Sequence, residues 1–344
     1  MADDTIFRIY SMTKPITSVG LMMLYEQGTF LLENPISRWL PEFADPQVWD
    51  GGTADAPHTR PAARAITVHD VLTHMSGLTY GFHFQHPLDE LYRNNALGDF
   101  SEPSYDLAEG VERLASLPLL FDPGTRWNYS MSTDVCGRLI EVMSGQPLDE
   151  YLEEHVLGPL GMRDSGFAAP EADLARCSPL YTRRVKGGLH RMAGPETMVQ
   201  PPKFLGGGGG LVGTAPDYLR FCHMLLNGGE LDGVRLLSPR TIAYMARNHL
   251  PNGQLLNDIG QSTFSEAAMA GTGFGLGFAV IEDAAALQNL ASEGEFSWGG
   301  AASTAFWVDP VEEICVVFMT QLLPSDTYPL RRQLRATVLQ SVIG

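Results

Sequence analysis

The sequence predicts an α+β protein in which a mostly helical region lies beside an antiparallel sheet. Three observations predict this class. Helical patterns dominate the first part of the chain, two strand patterns joined by a tight turn lie in the last third, and an amphipathic helix closes the chain. With 344 residues, of which 44% are hydrophobic and 18% charged, the chain can bury a sizeable core.

The first predicted helix spans residues 12–27 and is dense in apolar side chains, so we expect it to be largely buried. Ser11 stands where an N-cap would, Pro15 falls in the first turn, and Gly28 ends the helix. Further helical patterns cover residues 66–74, 105–117, 131–143, 148–156, 215–226, 239–247 and 328–343. The last of these places Leu330, Leu334, Val338 and Val342 on one face.

Three segments have the composition of strands, residues 274–281, 304–308 and 314–320. The five residues between the last two read as a tight turn, which predicts an antiparallel hairpin. Residues 167–203 show no clear period, and we expect them to be irregular.

Composition excludes several classes of function. The formal net charge of −17 argues against binding to nucleic acid or to an anionic membrane surface. No apolar run is long enough to span a bilayer and no signal peptide is visible, so a cytoplasmic protein is expected. Cys136, Cys177, Cys222 and Cys315 are far apart and are expected to be free, mostly buried thiols.

The sequence gives no indication of a metal or another cofactor. The pairs His69 with His74 and His83 with His86 lack the H-E-x-x-H pattern, so a loop or capping role is favoured for them. The glycine run at residues 206–210 is not followed by G-K-[ST], which rules out a phosphate-binding P-loop and favours a tight turn between layers.

The strongest chemical signal is Ser11-Met12-Thr13-Lys14, an S-x-x-K at the start of a predicted helix. Residues three apart share a helical face, so the Lys14 amine can reach the Ser11 hydroxyl. A buried lysine loses its charge readily, and a neutral amine can take the serine proton. Unpaired N–H groups at a helix N-terminus favour a developing oxyanion. The alternative is a plain N-cap followed by a solvated lysine, and the motif alone does not decide between them.

Two further segments support a catalytic interpretation. Tyr129 stands at a turn that opens a helix, where it could relay a proton with Lys14 or simply be half-buried with its hydroxyl bonded to backbone. Trp298-Gly299-Gly300-Ala301 precedes a predicted strand, where the glycines would let a substrate lie close and a backbone N–H could complete an oxyanion hole. An ordinary glycine turn is the alternative there. No G-x-S-x-G is present, so an α/β-hydrolase mechanism is not supported.

These segments together resemble one known group. Residues 5–17 and 66–78 are similar to the two main signatures of class C β-lactamases and the related family VIII carboxylesterases. Residues 121–130 resemble the segment that leads to the catalytic tyrosine, and residues 207–221 resemble the later glycine-rich stretch and helix. The resemblance runs in order along nearly the whole chain. It implies a β-lactamase/transpeptidase-like fold, with residues 1–10 and 204–344 forming the sheet region, 11–203 the helical region, and the active site in the cleft between.

The resemblance also implies roles for individual residues. Ser11 would be the acylated nucleophile, with Lys14 and Tyr129 as the proton-transfer pair. The oxyanion hole would consist of the backbone N–H groups of Ser11 and Ala301.

Two departures from the lactamase pattern point to esters. Trp298, Gly299 and Gly300 stand where lactamases and penicillin-binding relatives carry K-T-G or a close variant, as in the esterase branch, and an indole suits a neutral acyl or alkoxy group. Met131 stands where the Y-x-N pattern has an asparagine. We therefore expect a serine carboxylesterase for short-chain acyl esters, with these four residues in contact with substrate. The alternatives are a β-lactamase or D-amino-acid peptidase, an acyltransferase, and a catalytically silent relative that binds a ligand.

A third departure concerns the N-terminus. Members of the group usually have several dozen residues before S-x-x-K, and here ten precede Ser11. A truncated start, or a second chain that covers the exposed sheet edge, would account for this, because an unpaired edge is a liability. A homo-oligomer is therefore one expected state, and a missing start would weaken the prediction of a cytoplasmic location.

Overall fold

The computed structural model describes residues 1–100, 103–261 and 268–343 of the chain. Its α-helices are α1 (Thr13–Glu26), α2 (Val68–Leu72), α3 (Pro87–Asn94), α4 (Leu107–Ala115), α5 (Ser132–Ser144), α6 (Leu148–Leu152), α7 (Ala215–Leu226), α8 (Pro239–Met245), α9 (Leu256–Ile259), α10 (Ala284–Leu287) and α11 (Leu330–Leu339). Its strands are β1 (Phe7–Arg8), β2 (Gln47–Thr53), β3 (Ala56–Pro61), β4 (Leu180–Arg183), β5 (Leu189–Ala193), β6 (Val212–Gly213), β7 (Glu230–Leu231), β8 (Val234–Arg235), β9 (Thr272–Phe274), β10 (Ala279–Ile281), β11 (Phe296–Gly299), β12 (Ala305–Asp309), β13 (Ile314–Phe318) and β14 (Leu322–Leu323). The predicted α+β class is confirmed.

Helix α1 is the centre of the helical part. Most of its side chains are buried, as its dense apolar sequence predicts. It packs against α5 and α6, and a Cβ at Gly20 would lie 3.1 Å from Leu152, so a glycine at this position allows close approach. The Tyr151 hydroxyl donates to the Gly20 carbonyl at 3.1 Å. This packing fixes the helix whose first turn carries Lys14.

The sequence predicted Ser11 as the N-cap of α1, and this prediction was wrong. The helix begins at Thr13, its N-cap residue is Met12, and no side chain caps it. Ser11 lies instead in a 3-10 turn, Tyr10–Met12, that precedes the helix. The hydroxyl of Ser11 is bonded to other side chains, those of Lys14 and Tyr129, and is therefore not used for capping.

A five-stranded antiparallel sheet has the strand order β13-β12-β11-β10-β9. The predicted hairpin is confirmed, because β12 and β13 pair from Ala305 opposite Phe318 to Asp309 opposite Ile314. The Asp309 carboxylate closes the turn by accepting the N–H of Val311 at 3.0 Å. Side-chain acceptors of this kind are a frequent reason for aspartate at turns.

Two segments differ from the sequence expectation. The predicted strand at residues 274–281 is a hairpin of β9 and β10, because the chain reverses at Gly275–Phe278, where Gly277 has a φ of +93°. Residues 167–203 are not wholly irregular, since β4 and β5 form a second hairpin to which β14 adds in parallel. Short strands with polar, exposed side chains carry too little apolar alternation to be recognised from sequence.

Helix α11 lies against the five-stranded sheet, and its apolar residues are only half-buried. Two arginines attach it. Arg335 forms an ion pair with Glu295, a side chain with no exposed surface, and its guanidinium lies 5.0 Å from the centre of the Trp307 ring. Arg331 bonds the turn that follows β11. Within the described residues, no helix combines the length and apolarity needed to cross a lipid bilayer.

The buried Glu295 predicts a specific pH dependence of stability. Burial raises the pKa of Glu295 from an ordinary value of 4.5 to about 7. The charge of Arg335 acts in the opposite direction and is the smaller effect. The stability that this raised pKa contributes is complete below pH 4.5 and is lost as the pH rises through about 7. In urea denaturation, the free energy of unfolding of the wild type should therefore fall from about pH 4.5 to about pH 8 relative to that of Glu295→Gln, by about 3 kcal/mol.

The exposed Glu90 on α3 provides the control. Glu90→Gln should follow the wild-type curve at every pH. If wild type and Glu295→Gln instead keep a constant difference over this range, the carboxyl does not titrate as described.

Candidate active site

Ser11 lies on a sharp turn between a strand and a helix. Strand β1 pairs with β6, with Arg8 opposite Val212, and the chain then turns into α1. Tyr10 has a φ of +45°, in the left-handed region that non-glycine residues rarely adopt. Strained backbone of this kind is often found at functional sites, where surrounding structure must hold it. Here Tyr218 of α7 donates to the Met12 carbonyl at 2.8 Å and anchors the turn.

The structure brings the three predicted polar residues together. The Tyr129 hydroxyl donates to Ser11 Oγ at 2.5 Å, and Lys14 Nζ donates to Ser11 Oγ at 3.3 Å. Lys14 Nζ also lies 4.5 Å from the centre of the Tyr129 ring. The serine hydroxyl is therefore held between a phenol and an amine, an arrangement that can move a proton to or from Ser11.

Lys14 is 2% exposed and is not the solvated first-turn residue of the alternative interpretation. Besides Ser11, its amine donates to the Gly208 carbonyl at 2.6 Å and to the Tyr80 hydroxyl at 3.0 Å. Gly208 belongs to the glycine run, so this run is part of the site as well as a turn. Its position is fixed by α1, since Thr17 Oγ1 donates to the Gly207 carbonyl at 2.8 Å.

Sequence reasoning missed Tyr80. Its ring packs edge-on against Tyr129 with 5.2 Å between centroids, and its hydroxyl accepts from Lys14. Burial, followed by the charge of Asp134, raises the pKa of Tyr80 well above its usual value, so its phenol stays protonated. The one signal in the sequence was its position, two residues after the second signature segment ends.

His74 and His83 contact the segment around Tyr129, whereas His69 and His86 contact other parts of the protein. His83 Nε2 lies 2.6 Å from the Tyr129 carbonyl, and His74 Nδ1 lies 3.2 Å from Ser130 Oγ. Burial lowers the pKa of His74 well below its usual value, so this ring is neutral. His86 caps α3 by accepting the Leu88 N–H at 3.0 Å, as a capping role predicted, and His69 lies 3.2 Å from His249.

A cavity of about 700 Å³ opens beside Ser11. Of the predicted site residues, Met131 and Ala301 line it with Ser11. Its walls combine apolar or aromatic side chains with charged ones. The first group includes Tyr10, Phe82, Phe100, Phe167, Met198 and Phe204, and the second Arg8, Asp99, Asp134 and Lys203. A cavity of this size and polarity is typical of small-molecule sites.

The described residues that line this cavity do not include Trp298, Gly299 or Gly300. Trp298 is 3% exposed and packs against Tyr129 with 5.4 Å between ring centroids. The indole therefore supports the tyrosine from behind. Its predicted contact with substrate is not supported by this position.

The turn after β11 presents Ala301 to the cavity. Gly300 N–H donates to the Thr304 carbonyl at 3.0 Å and Ser303 N–H to the Gly300 carbonyl at 3.0 Å. No backbone hydrogen bond of the described residues uses the Ala301 N–H, and its part in an oxyanion hole stays a prediction. Because a Cβ on Gly300 would lie 2.4 Å from the Ile9 carbonyl oxygen, the turn can approach the Ser11 segment only as glycine.

Helix α11 holds this turn from the other side. Arg331 Nη2 donates to the carbonyls of Gly300 at 2.9 Å and Thr304 at 2.8 Å. The guanidinium lies over Gly299, where a Cβ would come within 2.4 Å of Nη2. The glycine pair thus serves two close contacts, one to Arg331 and one to the backbone before Ser11.

The fold and this arrangement define a serine hydrolase with a β-lactamase-like fold. Residues 1–340 match the family model described as Beta-lactamase, and the chain belongs to this family. An uncharacterised Mycobacterium tuberculosis protein, MT1414, is 39% identical over 328 residues, 94% of this chain and 79% of that protein. Esterase EstB of Burkholderia gladioli is 32% identical over 337 residues, 93% of this chain and 78% of that one.

Comparison with solved structures leads to the same family and fold. EstCE1, described as a hydrolase with promiscuous acyltransferase activity, matches with a TM-score of 0.80 at 28% identity, covering 98% of this chain and 86% of that one. The resemblance to serine β-lactamases and carboxylesterases is therefore confirmed at the level of family and fold.

The contact between Gly299 and Arg331 can be tested by a double-mutant cycle. Gly299→Ala should displace the guanidinium and break its bonds to the two carbonyls, lowering the free energy of unfolding by about 1–3 kcal/mol. Arg331→Ala should cost a similar amount. In the double variant the two effects should be clearly less than additive, as measured by urea denaturation.

Arg332, exposed on the same helix, supplies the comparison. Arg332→Ala should change stability little, and its effect should add to that of Gly299→Ala. Full additivity for Gly299→Ala with Arg331→Ala would contradict the described contact.

Proposed function

We propose that the chain hydrolyses carboxylic esters of short-chain acids through an acyl-enzyme on Ser11. The observation that carries the proposal is the position of Ser11 Oγ, 2.5 Å from the Tyr129 hydroxyl and 3.3 Å from Lys14 Nζ, at the wall of a cavity. A serine becomes a nucleophile when neighbouring groups can accept its proton as it attacks.

In acylation, the Ser11 oxygen attacks the ester carbonyl and its proton passes to the Tyr129–Lys14 pair. The carbonyl oxygen becomes an oxyanion, which the backbone N–H groups of Ser11 and Ala301 would stabilise. When the tetrahedral intermediate collapses, the bond to the alkoxy oxygen breaks and the pair returns the proton to that oxygen. The alcohol leaves, and the acyl group remains on Ser11.

Deacylation repeats these steps with water. The water oxygen attacks the acyl carbonyl while the pair takes its proton, and collapse breaks the bond to Ser11 Oγ, which takes the proton back. The cavity of about 700 Å³ exceeds the needs of a short acyl group. We assign the remaining space to the alcohol part of the ester.

The preference for esters over β-lactams rests on two residues. Met131, which lines the cavity, offers no amide where lactamases of this family carry an asparagine. Trp298, buried against Tyr129, stands where they carry a lysine or histidine that helps to hold a substrate carboxylate. A charged lactam would lack these two polar contacts, which a neutral ester does not need.

Transfer of the acyl group to an alcohol is a second candidate. It uses the same acyl-enzyme and differs only in the acceptor, and the description of EstCE1 as a hydrolase with promiscuous acyltransferase activity favours it. A second alcohol bound in the alkoxy part of the cavity would compete with water for the acyl group.

The proposal predicts turnover of p-nitrophenyl butyrate that exceeds turnover of a chromogenic cephalosporin by roughly tenfold or more in kcat/KM. Ser11→Ala should lower ester turnover by about 10³-fold or more, since the covalent step is lost. Mass spectrometry of the wild type should detect an acyl adduct on the peptide that contains Ser11. Acyl transfer would appear as butyryl ester formed when a primary alcohol is added.

Ser341→Ala, at an exposed serine near the C-terminus, is the control and should retain full activity. Ester turnover that survives in Ser11→Ala would show that the nucleophile is another residue. Cephalosporin turnover well above ester turnover would make the chain a β-lactamase, and the absence of both turnover and adduct would indicate a silent relative.

A further inference from the structure

Asp134 is a buried carboxylate beside the proposed proton-transfer pair. It lies in the first turn of α5, where the positive end of the helix dipole favours a negative charge. It is 4% exposed, and its Oδ1 accepts the N–H of Gly208 at 2.9 Å. The carbonyl of the same Gly208 accepts from Lys14 Nζ at 2.6 Å. A single glycine therefore joins the carboxylate to the amine.

Close packing around Gly208 explains why this position is a glycine. A Cβ here would lie 2.7 Å from Asp134 Oδ2 and 3.0 Å from the Tyr80 hydroxyl. No side chain could therefore fit between Asp134 and the tyrosine that Lys14 contacts. The glycine run brings backbone and carboxylate close to the lysine, a use of glycine that a turn between layers alone does not require.

Lys14 needs a nearby negative charge if it is to stay an ammonium while buried, because desolvation disfavours the charged form. Other ionisable side chains that act on it include Tyr80, Tyr129 and His74. Burial keeps Tyr80 a protonated phenol and His74 a neutral imidazole. Asp134 is a carboxylate on which the charge of Lys14 acts.

We propose that Asp134 is a positioning residue that holds Lys14 in its ammonium form and fixes it through Gly208. This inference rests on the proposed function and deepens it, since it states which form of Lys14 works there. The Lys14 ammonium would stabilise negative charge on the Tyr129 oxygen, which is the atom that takes the Ser11 proton. Tyr129 would therefore react as a phenolate. It takes the Ser11 proton as Ser11 Oγ bonds the ester carbonyl carbon and becomes a neutral phenol, the negative charge passes to the carbonyl oxygen, and Lys14 and Asp134 keep their charges.

Asp134 and Lys14 act on each other electrostatically, although burial leaves the pKa of Asp134 raised above its ordinary value. Burial raises the pKa of Asp134, and the charge of Lys14 is the largest influence that lowers it again. A carboxylate and an ammonium that share a buried site each favour the charged form of the other.

The chain contains only three lysines, so side-chain NMR can observe Lys14 directly. Lys186 and Lys203 are exposed, and Lys186→Arg and Lys203→Arg assign their signals and leave that of Lys14. In the wild type, the Lys14 Cε and Nζ shifts should be those of an ammonium at about pH 7. In Asp134→Asn, the midpoint of the Lys14 titration should lie about 1–3 pH units lower.

Asp217→Asn is a matched control. Asp217 also lies buried in the first turn of a helix, α7, accepts a backbone N–H, and has its pKa raised by burial, but it bonds Asp164 and Ser165 instead of the site. Its substitution should leave the Lys14 titration unchanged. If Asp134→Asn does not fold, Gly208→Ala should displace the carboxylate and lower the same midpoint.

Enzyme assays add a second readout. In Asp134→Asn, the alkaline limb of the kcat/KM profile for p-nitrophenyl butyrate should move to lower pH, with kcat reduced and KM little changed. A wild-type Lys14 that is neutral at about pH 7, or a midpoint that Asp134→Asn leaves in place, would overturn the inference. The NMR result does not depend on turnover, so a wild type without esterase activity would refute the proposed function separately.

Discussion

The site depends on the burial of one lysine. Lys14 is 2% exposed, and its amine is satisfied by oxygens supplied from three separate segments of the chain. A buried amine without such partners would be costly. Ser11, Tyr80 and Gly208 are therefore positioned relative to one another by the need of the buried Lys14 amine for hydrogen-bond acceptors.

This requirement explains why the neighbouring segments have the sequences they do. Lys14 stands in the first turn of a helix, where a cation is destabilised by the helix dipole. Nearby oxygens are needed to offset this effect. The backbone of the glycine run can supply such an oxygen because Gly207 and Gly208 bring no side chains. A Cβ on Gly207 would lie 2.7 Å from the Thr133 carbonyl oxygen, and one on Gly208 would meet Asp134.

Much of the site could be predicted from sequence because its chemistry is local. Ser11 and Lys14 are three residues apart on one turn, and Tyr129 opens a helix after a recognisable turn. Tyr80 and Asp134 could not be found in this way, since each reaches the surroundings of Lys14 only through the packing of distant segments around α1. The contact of Trp298 with substrate stays a prediction. A position in the sequence does not show which face of a strand a side chain occupies, and the structure places this indole against Tyr129.

The strands of the fold also differ in how well the sequence predicts them. The hairpin of β12 and β13 was predictable, because two apolar strands and a turn with an aspartate signal form a local pattern. The strand predicted at 274–281 was not correct, because its apolar run continues across the reversal at Gly275–Phe278. That reversal packs closely on α1, since a Cβ on Gly277 would lie only 2.3 Å from Ser18 Oγ. A bulkier residue would push the hairpin away from α1.

These contacts also bear on the fate of an acyl group on Ser11. Tyr129 is packed against Trp298 behind its ring, and its carbonyl contacts His83, so these contacts favour one position of the phenol in both half-reactions. The cavity walls beyond it include aromatic and methionine side chains that can bind the apolar part of an alcohol. If Ser11 is acylated as proposed, hydrolysis and transfer then differ only in which hydroxyl occupies the space next to Tyr129, and the balance between them follows from how well an alcohol fills this cavity.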